Sequence, residues 1–99
     1  MKAVTNAAFF TARPNMSTVL GARLLELVPF TRQEPGCLRY EIHHSKDDPD
    51  SWFVYEDWRS PADFEAHMET PYVKAFMNDV PVLCNEDVEI CSYEKVERL

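Results

Sequence analysis

Between Cys37 and Arg59 the chain carries two runs of strand-forming residues, 37–45 and 52–59, joined by Lys46-Asp47-Asp48-Pro49-Asp50-Ser51. The joining segment is polar and holds a proline, as a hairpin connection should. This places an antiparallel hairpin in the middle of the sequence, and the hairpin defines the two faces of a sheet. If His44 stands opposite Trp52, then Ile42 opposes Val54, Tyr40 opposes Glu56 and Leu38 opposes Trp58, all on one face. The other face carries Arg39 opposite Asp57, Glu41 opposite Tyr55 and His43 opposite Phe53. The first face is mostly apolar and needs helices over it. The second is polar and aromatic together, which suits a sheet-to-sheet contact between two copies of the chain. A slip of one residue would exchange the two faces.

The flanking segments supply the helices. Residues 2–12 are rich in Ala, Val, Thr and Phe and contain no breaker, so they read as a first strand. Asn15 is placed to cap the helix that follows, because its side chain can accept an orphan backbone N–H. Met16, Leu20, Leu24, Leu27 and Val28 then fall on one helical stripe, which Pro29 is expected to stop, and Glu34-Pro35-Gly36 is a turn. Ser60-Pro61 opens the second helical region, with Ser as N-cap, Pro at the first helical position and Asp63 near the positive end of the dipole. Thr70-Pro71 repeats the device, so this region divides in two. Val73, Phe76, Met77 and Val80 form the buried stripe of its second piece, and Pro81 is expected to end it. Residues 86–97 alternate as a last strand. The order β-α-β-β-α-β is the α+β, ferredoxin-like split βαβ arrangement with one antiparallel sheet. Residues 1–99 read as a single domain without repeats or linkers.

Charge and size narrow the function. Ten Lys and Arg against 17 Asp and Glu give a net charge of −7, which repels phosphate backbones and anionic membrane surfaces; no nucleic-acid or membrane partner is expected. No run approaches the ~20 apolar residues of a membrane span. Thr5 and Asn6 interrupt the apolar N-terminal stretch, which fits a strand better than a signal peptide. Cys37, Cys84 and Cys91 are odd in number and lack metal-ligand spacing, so free thiols and a reducing, cytoplasmic setting are expected. A chain of 99 residues builds one modest core and often pairs with itself, so a homodimer is expected.

The candidate chemistry lies on the helix-covered face. Glu56 is a carboxylate in an apolar row: either a structural residue satisfied by Tyr40 and a backbone N–H, or an acid–base group whose pKa burial has raised. His67 shares the stripe of Phe64 and Met68 and points at the sheet. A lone His there is commonly a core residue, but Glu56 on the facing strand could orient it as a base. Asn6 sits mid-strand, a poor place for Asn, and lies either near an edge or with its amide in the pocket. Tyr72 and Phe76 are candidate pocket walls. His43 and His44 face opposite ways and cannot share an ion, and no zinc-spaced Cys pair, phosphate-binding glycine loop or nucleophile elbow is present, so neither metal nor cofactor is expected.

The segments EPGCLRYEIH, WFVYEDW and SPADFEAHMETPYVKAF resemble the antibiotic biosynthesis monooxygenase family, through E-P-G-C-L-x-Y, Y-E-x-W and A-H-x-x-T-P. The resemblance implies a dimeric α+β barrel, two sheets packed face to face, with a pocket in each subunit between sheet and helices. It also implies oxidation of a phenol or quinol by O2 without flavin, haem or metal. By position the pocket residues would be Asn6, Tyr40, Glu56, Trp58 and His67. In that reading His67, oriented by Glu56, deprotonates the substrate, Asn6 and Tyr40 bond an oxygen, and Trp58 and Phe76 flank the ring. Many members carry a second His where this chain has Tyr72. Haem-degrading relatives share the fold, but Met77 stands near the position of their iron ligand. An isomerase branch uses a His and a Glu, which His67 and Glu56 would also fit; a non-catalytic ligand-binding dimer is the third reading.

Overall fold

The computed structural model describes residues 2–96. Its elements are β1 (Val4–Thr11), α1 (Ser17–Thr31), β2 (Cys37–His44), β3 (Ser51–Trp58), α2 (Pro61–Met68), α3 (Pro71–Leu83) and β4 (Glu89–Tyr93). The four strands pair antiparallel in the order β2-β3-β1-β4. This is the expected α+β, ferredoxin-like sheet, with the second helical region in two pieces. The last strand is shorter than the expected 86–97, and Glu97 lies outside the described residues.

The hairpin register holds from Arg39 to His44: Tyr40 faces Glu56, Ile42 faces Val54 and His44 faces Trp52. It fails at Leu38. The register shifts between Cys37 and Arg39, so that Cys37 rather than Leu38 opposes Trp58, and Leu38 is left exposed. The extra residue is a local bulge, which turns the strand as it leaves the Glu34-Pro35-Gly36 turn. A side chain on Gly36 would collide with Asp63 in α2, so the turn can lie this close to the helix only with glycine there.

Three helix-end expectations are corrected. Asn15 is not the cap: it takes a left-handed φ of 67°, which Asn tolerates well, and Met16 becomes the N-cap without a side-chain bond. Pro29 and Pro81 do not stop their helices, which run on to Thr31 and Leu83. Each proline lies within the last turn, where a missing N–H costs one bond and burial continues beyond it. Thr31 and Leu83 are both buried. The caps at Ser60 and Thr70 form as expected, each side chain accepting the backbone N–H three residues on.

The core is one-sided. Ala8, Phe10, Tyr40, Val54 and Trp58 from the sheet pack with Leu20, Leu24, Leu27, Phe76, Val80 and Leu83 from the helices. The opposite sheet face has no helix. Phe9 stacks on Phe53, His43 stacks on Phe53 with ring centroids 4.6 Å apart, and Arg39 lies over Tyr55.

Candidate active site

Under α2 and α3, on the helix-covered face, lies a small cavity of about 30 Å³. Among the described residues that line it, Tyr40, Glu56 and His67 are the titratable ones. The rest of its wall is aliphatic, aromatic or thioether, including Phe10, Phe64, Met68, Phe76 and Met77. Strand alternation aims Tyr40 and Glu56 inward from paired positions on β2 and β3, and His67 comes from the last turn of α2.

His67 is 3 % exposed and packed among rings: Trp58 at 4.6 Å between centroids, Tyr40 at 5.6 Å and Phe64 at 6.2 Å. Burial pulls its pKa below the ordinary 6.5, and the carboxylate beside it only partly opposes this. The imidazole is therefore neutral at pH 7. The carboxylate is Glu34, not Glu56. His67 Nδ1 lies 2.9 Å from Glu34 Oε2, and the Tyr72 hydroxyl donates to that same oxygen. With Nδ1–H donated to a carboxylate, Nε2 keeps the lone pair, the tautomer a general base requires. The expected orientation of His67 by Glu56 is thus corrected. Glu56 instead accepts a 2.6 Å bond from the Trp58 indole N–H.

Burial is also the main influence on Glu56. It raises the carboxyl group's pKa from 4.5 to about 7, against the Trp58 hydrogen bond, with the nearby Glu34 charge adding to the rise. The Tyr40 phenol is pushed far up by burial and then by Glu56, so it is a neutral hydrogen-bonding group. Tyr72 is raised to about 12, first by desolvation and then by Glu34. The cavity thus presents a neutral imidazole, a carboxyl group with its pKa raised to about 7, and a neutral phenol.

Of the residues singled out in the sequence, Tyr40, Glu56, His67 and Phe76 line the cavity. Asn6, Trp58 and Tyr72 do not. Asn6 is fully buried in central strand β1, opposite Glu56, and so is not at a sheet edge. Its Oδ1 accepts from Ser92, and its Nδ2 has no hydrogen-bond partner among the described residues. Trp58 lies beneath His67, and Tyr72 opens onto an outer groove beside Phe30 and Ala75. Glu34 was missed: a Glu before Pro-Gly has the sequence signature of a turn residue, and only the fold brings it to His67. Among the described residues, no group of three or more His, Cys, Asp or Glu side chains is arranged to hold a metal ion. No helix among them is long and apolar enough to cross a membrane.

Residues 3–79 match the family model described as antibiotic biosynthesis monooxygenase. The chain belongs to that family. Among curated relatives, it is 33% identical over 63 residues to the Escherichia coli protein named "Probable quinol monooxygenase YgiN", covering 56% of this chain and 61% of that protein. An uncharacterized Synechocystis protein is 33% identical over 67 residues, 68% of this chain and 46% of its own length. The chain therefore spans about half to three fifths of the curated relatives it matches. A crystal structure from Pseudomonas aeruginosa superposes with a TM-score of 0.91 at 29% identity, over 97% of this chain and 96% of that one.

Proposed function

We propose that this chain is a cytoplasmic monooxygenase that oxidises a small neutral phenol or hydroquinone with O2, without a resident cofactor. The observation that carries this reading is the make-up of the cavity. A neutral imidazole and a carboxyl group with its pKa raised to about 7 face a shell of apolar and aromatic side chains, with no Lys or Arg among the described lining residues. Such a shell suits a flat neutral ring and opposes an anionic one. Family membership and the name of the E. coli relative support the same class of reaction.

In this mechanism His67 Nε2 removes a substrate hydroxyl proton, with Glu34 stabilising the imidazolium that forms. The resulting anion is electron-rich and reduces O2 itself, so the protein supplies deprotonation, positioning and a dry cavity. A hydroquinone and O2 give a hydroxyquinone and water. The proton held by Glu56 serves the oxygen atom that leaves as water, and Tyr40 hydrogen-bonds the ring oxygen while Phe76 packs on its face. Asn6, Trp58 and Tyr72 act from behind the wall rather than as contact residues. Because about 30 Å³ holds only a water or two, the flexible Met68 and Met77 side chains must swing aside for a ring to enter. The open sheet face of Arg39, Glu41, His43, Phe53 and Tyr55 is the surface on which a second copy would pair.

The test is oxygen consumption with a panel of hydroquinones. His67→Ala should lower turnover by about 10²-fold or more while the protein stays folded. Proton exchange or isomerisation without oxygen uptake would replace this reading with an acid–base isomerase. Ligand-dependent thermal stabilisation with no turnover would leave a binding protein.

A further inference from the structure

Glu34 and Tyr72 form a second layer behind His67. His67 lines the cavity, while neither Glu34 nor Tyr72 does. The two donors, His67 Nδ1–H and Tyr72 O–H, converge on one oxygen, Glu34 Oε2. Each member comes from a different element: Glu34 from the turn before β2, His67 from the end of α2 and Tyr72 from the first turn of α3. The Thr70 hydroxyl ties the last two together by donating to the His67 carbonyl at 2.7 Å and capping α3 through the Val73 N–H. Tyr72 is also held by its ring, which packs on Phe30 with centroids 5.5 Å apart.

We propose that Tyr72 is a positioning residue for His67 that acts through Glu34: it shares the carboxylate oxygen that holds the Nδ1–H and so moderates how strongly the imidazole takes a proton at Nε2. The physics is a competition for one oxygen. A hydrogen bond from Tyr72 draws electron density from Oε2, so the carboxylate stabilises the imidazolium less than it would alone. Removing the hydroxyl frees Oε2 for His67 and makes the imidazole more basic. Removing the carboxylate charge does the opposite. The other titratable groups around this triad are Tyr40 on β2 and Glu56 on β3, which share the cavity with His67, and Cys37, whose charge would bear on both Glu34 and Tyr72. None of them hydrogen-bonds to Glu34 Oε2, so Tyr72 has a route to His67 that they lack.

This inference rests on the reading of His67 as a base, but it can be tested without a substrate. Nitrogen-15 NMR of the His67 ring in the unliganded protein reports both tautomer and pKa. Tyr72→Phe, which keeps the ring against Phe30, should raise the His67 pKa and strengthen the Nδ1–H tautomer preference. Glu34→Gln should lower the pKa. In the Glu34→Gln background, adding Tyr72→Phe should change nothing further, since the carboxylate that transmits the effect is gone. With a working substrate, Glu34→Gln should lower kcat by about tenfold or more, in line with losing the outer partner of other functional imidazoles. Tyr72→Phe should shift the acid limb of the kcat profile to higher pH. A His67 pKa and tautomer unmoved by Tyr72→Phe would overturn the proposal, as would an equal shift in the presence and absence of Glu34. Failure of the oxygenase reading would look different: no oxygen uptake from any hydroquinone, with the NMR coupling intact.

Discussion

Two glutamates near one histidine differ in what surrounds them, and their placement decides their work. Glu56 lies among apolar side chains with one indole N–H as partner, and its pKa rises from 4.5 to about 7. Because the folded protein then binds more protons than the unfolded chain between those values, stability should fall as pH rises from about 4.5 through 7. A displacement of that size corresponds to about 3 kcal/mol at most. Urea unfolding at a series of pH values should show this loss in the native protein, and Glu56→Gln should flatten the curve. His67 acts in the opposite sense: its depressed pKa makes stability decline as pH drops below about 6.5, the value of the unfolded residue. The sequence disclosed Glu56 and His67, because each is a polar residue in an apolar pattern. It did not disclose Glu34, which occupies a turn where charge is ordinary and whose partner is 33 residues away.

At the scale of elements, the helix starts legible in the sequence are those in which a side chain satisfies the backbone locally. Ser60-Pro61 and Thr70-Pro71 each combine a capping hydroxyl with a proline that needs no N–H, and both helices begin there. The helix ends have a different physical origin. Pro29 and Pro81 are breakers in isolation, yet the helical stripe continues beyond them into buried positions, so tertiary packing outweighs the lost bond. The bulge at Leu38 was equally hidden, since alternation alone cannot show where an extra residue enters a strand. Thr70 carries two duties, capping α3 and bonding the His67 carbonyl. Thr70→Ala should cost about 1 kcal/mol in chemical unfolding. It should also cost activity out of proportion to stability, because α2 and α3 would lose the hinge bond that sets His67 beside Tyr72.

For the whole molecule, the fold was legible in the β-α-β-β-α-β order of its elements, and the two sheet faces in one hairpin register, which holds from Arg39 to His44; both signals are local in the chain, and the site is not. The face without helices carries Phe9, Phe53, Tyr55 and His43 in mutual contact or close by, with Arg39 over Tyr55. A monomer would leave these rings in water. Light scattering at micromolar concentration should give twice the 11.5 kDa chain mass. Phe53→Glu, which puts a charge into the middle of that face, should give the single mass. A monomeric native protein would remove the pairing from the proposed function.

The cavity size has a consequence for how fast the molecule can be loaded. A dry apolar cavity that accepts benzene is about 150 Å³, several times the roughly 30 Å³ found under α2 and α3. A ring can enter only the fraction of molecules whose wall has already parted. The observed binding rate should then level off as ligand concentration rises, at the rate of spontaneous parting, instead of climbing without limit. Replacing Met77 by Ala should lift that plateau, and stopped-flow quenching of Trp58 would record it.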